Sequence, residues 1–228
     1  MRLDKYLAHS LRQSRAKVKS LVRRGAVQIN GQVVTDAGAQ VAQLDAVTCQ
    51  GRPIMAASKQ YIALYKPANY ICSTQDEHYP SALNLLQKPP FRSLHFAGRL
   101  DADTTGLVLI SDDGQWSHRV TSPSRQCVKV YRVITYQHLT QTQLLTLADG
   151  VRLKNDDQPT LPAQVNRLGE NECLLGLSEG RYHQVKRMFA AVGNHVVSLH
   201  REKVGGVDLS GLEVGCWRHL SKEEIESF

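Results

Sequence analysis

No stretch of the chain approaches the roughly 20 apolar residues that cross a bilayer, so a membrane-spanning helix is not expected. Its first residues, Met1-Arg2-Leu3-Asp4-Lys5-Tyr6-Leu7, lack the apolar core of a secretory signal, and the expected compartment is the cytoplasm. Cysteine is sparse: five residues (49, 72, 127, 173 and 216), odd in number, scattered and without a Cys-x-x-Cys pair. That pattern supplies neither a disulfide framework nor a zinc site, and it suits a reducing environment. Nine histidines form no His-Glu-x-x-His and no cluster with cysteine, which removes the commonest zinc-hydrolase signature. Internal repeats and low-complexity tracts are missing as well.

What is present is charge, and it is sorted. Residues 1–60 carry ten Lys and Arg against three aspartates, whereas residues 61–228 carry eighteen basic and eighteen acidic side chains. The whole net charge of +7 therefore resides in the first quarter of a 228-residue chain. A basic module joined to a neutral body points to a polyanionic partner, RNA or DNA.

Within that module Leu3, Tyr6 and Leu7 fall at helical spacing. Ser14 is a suitable N-cap for a second helix running to about Arg24, with Val18, Leu21 and Val22 as its apolar stripe and Gly25 as its stop. Arg15, Lys19 and Arg23 recur every four residues on another face, joined by Arg12, Lys17 and Arg24. Asn30-Gly31, set between alternating segments, predicts a tight hairpin. Residues 51–60 are small and polar and read as a linker.

Beyond it, Tyr61–Tyr65, Leu107–Ile110, Val128–Val133, Cys173–Leu177 and Val196–Leu199 read as strands, and Gln115–Val120, Thr140–Ala148 and Arg181–Val192 as helices. Residues 67–95 read as loop with a short helix near 82–87, and Ser221 to Glu224 has capping-box spacing. Residues 150–168 are turn-rich and give no clear pattern. Strands outnumber helices without alternating regularly with them. The expected class is α+β with a mainly antiparallel mixed sheet, divided into domains at 1–59 and 60–228.

The stretch Gly98-Arg99-Leu100-Asp101 feeds an acid, flanked by glycines, into the apolar run Leu107–Ile110. Glycine permits the backbone angles that aim a side chain into a cleft, and the strand fixes the aim. Nearby Asp103, Asp112 and Asp113 raise the thought of a magnesium site. Asp112-Asp113-Gly114 is better explained as a turn.

Three segments taken in order carry a resemblance: Gly98-Arg99-Leu100-Asp101, Lys129-Val130-Tyr131-Arg132-Val133, and Glu179-Gly180-Arg181-Tyr182-His183-Gln184-Val185-Lys186-Arg187-Met188. Gly193 through Arg201 extends it. Together they resemble the motifs of the pseudouridine synthases. Residues 1–50 resemble the S4-type RNA-binding domain, so the chain as a whole resembles the RsuA type, which acts on small-subunit 16S ribosomal RNA.

The resemblance implies an isomerase that detaches uracil from its ribose and rejoins it through carbon, without metal or organic cofactor. Asp101 would be the catalytic aspartate, Lys186 the cation beside it, and Tyr131 the tyrosine that stacks on the base and takes part in proton transfer. Many relatives carry arginine where this chain has Lys186, a point charge without the bidentate fork. Arg99, Arg181 and Leu199 would contact substrate, Leu199 by packing under the base and Arg99 at the RNA backbone. His183 would orient its neighbours. Arg12, Arg15, Lys17, Lys19, Arg23 and Arg24 would meet phosphates of folded RNA. The target base is out of reach inside folded RNA, so flipping is expected. The implied partner is small-subunit ribosomal RNA, naked or as a partly assembled particle, bound by a monomer. Two alternatives stay open: a ribosome-assembly factor with a silent second domain, and a synthase acting on large-subunit or transfer RNA.

Overall fold

Two short helices open the chain. α1 (Leu3–Ser10) and α2 (Arg15–Arg23) are joined by a short turn, and α2 starts at Ser14, whose side chain accepts from the Lys17 amide. Each buries one stripe: Leu3 and Leu7 from α1, Val18 and Val22 from α2. Burying a side chain of that size stabilises by about 1.5–3 kcal/mol. These four pack with Val27, Val41, Val47 and Cys49 into one small core.

Strands β1 (Val27–Ile29) and β2 (Gln32–Val33) form the expected hairpin, with Asn30 and Gly31 at φ of 51° and 79°. A second hairpin, β3 (Val47–Cys49) and β4 (Arg52–Pro53), turns the same way through Gln50 and Gly51, at φ of 51° and 74°. It corrects the reading of 51–60 as linker throughout. Glutamine rarely adopts positive φ, so Gln-Gly carries none of the signal of Asn-Gly. The four strands make one sheet in the order β2-β1-β3-β4.

This computed structural model describes residues 1–228 except 12, 43, 56–57 and 88–93, and it contains two compact units, the first spanning Met1–Lys59. The second is built on a nine-stranded sheet. Its strands are β5 (Tyr61–Lys66), β6 (His95–Phe96), β7 (Thr105–Ser111), β8 (Lys129–Thr135), β9 (Gln164–Arg167), β10 (Glu172–Leu177), β11 (Val196–Val204), β12 (Val207–Asp208) and β13 (Trp217–His219). The main path runs β13-β5-β7-β11-β8-β10-β9, with β6 on β7 and β12 on β11. Among the described strand pairs only β7 with β11 is parallel; the isolated bridge of Ile71 with Ser81 is parallel too. α3 (Gly114–Thr121), α4 (Gln141–Asp149), α5 (Gln184–Ala191) and α6 (Lys222–Glu226) complete the unit.

Ala63, Leu107, Leu109, Trp116 and Val120 form the core between β5, β7 and α3. The Trp116 indole donates to the Ile225 carbonyl at 3.1 Å, tying α6 to that core. Capping boxes start α4 at Thr140 and α6 at Ser221.

Two features position the site. Along β8, Lys129, Tyr131, Val133 and Thr135 all point to the buried face, while Val130, Arg132 and Ile134 point to the other. In the β11 register Arg201 lies opposite Tyr131 and Leu199 opposite Val133, so all these side chains share that face. At the parallel pairing Gly106 meets Arg201 with φ of +110°, and a Cβ there would collide with the Arg201 backbone. Glycine is what lets β7 and β11 run side by side at this point.

Candidate active site

A cavity of about 250 Å³ opens on the buried face of the second unit. Its walls come from the 98–104 loop, from β8 and β11, and from the loop that enters α5. Asp101, Tyr131, Lys186, Arg99, Arg181 and Leu199, six positions named from sequence, all line it. Five cations and two carboxylates are among the lining side chains; Lys186 and Arg181 are ion-paired, and Arg99, Lys129 and Arg201, in no ion pair among the described residues, leave the cavity electropositive.

The loop bearing Asp101 is held from several directions. Gly98 takes a φ of +94°, and the Leu100 amide donates to the Cys72 thiol at 3.3 Å. The Thr104 amide closes a turn on the Asp101 carbonyl at 3.2 Å. Beneath the turn lies Lys66, fully buried, whose ammonium donates to the carbonyls of Pro67, Tyr70 and Ala102 at 2.9, 2.8 and 3.2 Å. Burial pulls its pKa below the ordinary lysine value, while the carboxylates of Asp103 and Asp101 push the other way.

Two cationic or ionisable groups from the third segment reach Asp101. Lys186 Nζ lies 3.2 Å from Oδ2, and His183 Nε2 lies 3.3 Å from Oδ1. Lys186 also donates to both oxygens of Asp103, at 2.7 and 2.8 Å. Burial lowers the Lys186 pKa, but the two carboxylates outweigh it and the net shift is upward. Asp103 is pushed up by partial burial and down by Lys186, its own backbone amide and His183 together, and its net shift is downward. Asp103 is thus one arm of an ion pair with Lys186. Asp113 caps α3 and Asp112 accepts from the Gln60 amide, both within the turn expected for them. Among the described residues no group of three or more His, Cys, Asp or Glu is arranged to hold a metal.

α5 begins at Gln184, three residues later than the sequence pattern suggests, because His183 adopts φ of 47° and breaks the helical path. That left-handed step points His183 toward Asp101 rather than along the helix. Arg181, expected to contact substrate, lines the cavity and is also paired within the protein. Its guanidinium pairs with Glu179 and Asp156 at 3.1 Å each and donates to the Gln158 and Pro159 carbonyls at 2.8 and 2.7 Å.

The deepest wall carries Tyr131 and Leu199, each 9% exposed, and Arg201 at 2%. Arg201 donates to the Leu107 carbonyl at 2.7 Å and lies 3.4 Å from the Tyr131 hydroxyl. Lys129, on the same face as Tyr131, donates to the Cys127 carbonyl at 3.0 Å, and burial lowers its pKa. The sequence motifs contain Lys129 and Arg201 without giving them a part. The i, i+2 step from Tyr131 and from Leu199 is the signal that places them on the same face.

In the first unit Arg15, Lys17, Arg23 and Arg24 are exposed and Lys19 is half-buried. None of the five forms an ion pair among the described residues. Arg12 lies outside the described residues.

A family model described as RNA pseudouridylate synthase matches residues 60–191, and an S4 domain model matches residues 1–47. The chain belongs to the RNA pseudouridylate synthase family. Across its full length this synthase is 46% identical to a ribosomal small subunit pseudouridine synthase A from Vibrio parahaemolyticus, covering 99% of that protein. It is 45% identical to the Escherichia coli K12 protein of the same description, again over all of this chain and 99% of the other. A solved pseudouridylate synthase superposes with a TM-score of 0.72 at 42% identity, covering 100% of this chain and 99% of the other. The expected α+β class and the S4 module in front of the synthase fold accord with these matches.

Proposed function

We propose that this synthase converts one uridine of small-subunit ribosomal RNA to pseudouridine, with residues 1–59 docking on RNA and residues 60–228 performing the isomerisation. The substrate assignment rests on the full-length likeness to two small-subunit synthases at 45–46% identity. The chemical reading rests on one observation: Asp101 faces an electropositive cavity with Lys186 at 3.2 Å and His183 at 3.3 Å.

In this reading the flipped uracil lies against Tyr131 and Leu199. The Asp101 carboxylate is the nucleophile: it bonds to the bound nucleoside with the Lys186 ammonium 3.2 Å away, and it is released again once C5 has bonded to C1′. The bond from N1 to C1′ breaks, the uracil turns within the closed cavity, and C5 bonds to C1′. The C5 hydrogen then leaves as a proton, and N1, which kept the electron pair of the broken bond, takes one up. Arg201 presents a donor to the Tyr131 oxygen, which directs the phenol's own proton toward the base. Arg99 meets the RNA backbone, while Arg181 keeps the third segment in place rather than gripping substrate. Arg15, Lys17, Lys19, Arg23 and Arg24, with Arg12, supply the phosphate contacts of the first unit. The enzyme acts in the cytoplasm as a monomer, on RNA that is naked or already carries ribosomal proteins.

Tritium release from C5-labelled small-subunit RNA tests this. Wild type should release label and Asp101→Asn should not, while both bind RNA. Release by neither, on naked RNA and on partly assembled subunits, would favour an assembly role.

A further inference from the structure

The loop entering α5 shows one aromatic side chain to solvent at the cavity rim. Tyr182 lines the cavity and is 73% exposed. Its ring stacks on His183 with centroids 3.8 Å apart and planes inclined by 22°. His183 is itself directed at Asp101. One face of Tyr182 is therefore covered by a residue of the reacting centre, and most of the remaining ring surface is open.

This loop is not slack. Arg181, the preceding residue, is fastened by Glu179, Asp156 and two carbonyls. Arg187 of α5 donates to the Tyr182 carbonyl at 3.3 Å and pairs with Asp156 at 2.5 Å. The left-handed backbone of His183 is strained for a residue with a side chain and persists because these contacts hold it. The ring is presented by a preorganised support, which lowers the entropy lost when something stacks on it.

We propose that Tyr182 is a stacking platform for an unpaired nucleobase next to the uridine that enters the cavity. The ligand class follows from two observations: an exposed, rigidly mounted aromatic face, and a cavity lined by Arg99, Lys129 and Arg201, which form no ion pair among the described residues. Single-stranded RNA meets both, because each nucleotide brings a flat π-face and a phosphate. Flipping one uridine strips its neighbour of a stacking partner, and Tyr182 supplies a replacement. The platform accepts any base, with preference for those that stack well. The proposal rests on the reading of the cavity as a flipped-uridine site.

Kinetics and binding together test it. Tyr182→Leu removes the π-face at an exposed position, and Tyr182→Phe retains it. Isomerisation of small-subunit RNA by Tyr182→Leu should show KM raised about tenfold with kcat within about twofold of wild type. Tyr182→Phe should match wild type. A fall in kcat at unchanged KM would overturn the platform, showing that the ring acts through His183 on Asp101. The second arm needs no turnover. A short uridine-rich RNA carrying 2-aminopurine should lose fluorescence on binding Asp101→Asn protein and retain it on binding Asp101→Asn/Tyr182→Leu. Equal quenching by both proteins overturns the platform. Quenching that depends on Tyr182, in a protein whose wild type isomerises no RNA, leaves the platform standing and removes only the functional reading.

Discussion

The Lys186 ammonium lies 2.7 and 2.8 Å from the two oxygens of Asp103 but 3.2 Å from Oδ2 of Asp101. A lysine is a point charge on a flexible stem, and one carboxylate does not fix its direction. Asp103 supplies the second point of attachment and holds the charge where Asp101 needs it. Asp103→Asn should therefore lower kcat by about tenfold with little change in RNA affinity. An arginine fork pairs bidentately with one carboxylate without such help. Adding Lys186→Arg to Asp103→Asn should restore most of the loss, measured by single-turnover isomerisation; a further loss in the double variant would refute the arrangement.

The same pair sets an alkaline limit. The Lys186 pKa is raised above its ordinary value of 10.5 by Asp103 and Asp101, against the effect of burial. Its charge is fully present below that value and is lost only as pH rises through the elevated one. Asp103→Asn removes one raising carboxylate, so the alkaline fall in activity should begin at lower pH than in wild type. Rate profiles of the two proteins, run in parallel with short incubations, make the comparison.

Charge on the first unit should be readable through salt. Arg15 and Arg23 are exposed on α2 and Lys19 is half-buried. Reversing all three to glutamate should weaken RNA binding and flatten the plot of log affinity against log salt by about 2–3 units of slope. The melting temperature should hardly move, since Val18 and Val22 carry the packing of this helix. An unchanged slope would remove α2 from the RNA contact.

Gly106→Ala is the severe substitution of the fold. It places a Cβ against the Arg201 backbone at a φ of +110°. The cost should be about 3 kcal/mol or more, read from denaturant unfolding, because backbone strain and a collision with main chain combine. Ala at Gly180, where an added Cβ would meet nothing within 4 Å and φ is not positive, should cost far less.

These cases show which parts of the molecule are legible in the sequence. The helices of the first unit are, because Leu3, Leu7, Val18 and Val22 repeat at the helical period. The β1–β2 turn is, because Asn30-Gly31 has a known preference for positive φ. The β3–β4 turn is not, since Gln50 adopts that conformation against its own tendency. Asp101, Tyr131 and Lys186 are named through ordered motifs, and the fold brings all three to one cavity. The part played by Asp103 is hidden because its partner stands 83 residues away, and no local pattern announces a contact at that separation. Arg181 is expected at the substrate through the resemblance of the third motif, and it lines the cavity while pairing with Glu179 and Asp156. Of its partners, Glu179 is two residues away in the same motif, but Asp156 sits in the turn-rich 150–168 stretch, so that tertiary contact could not be foreseen.

Lys66 carries a consequence of another kind. Its buried ammonium gathers carbonyls from both the end of β5 and the turn after Asp101, so the two are moored to one charge. The direction of Asp101 is then a property of the sheet itself. Warming should not blunt the active centre ahead of the fold: catalytic competence and the cooperative melting of the sheet should vanish together, as a single event.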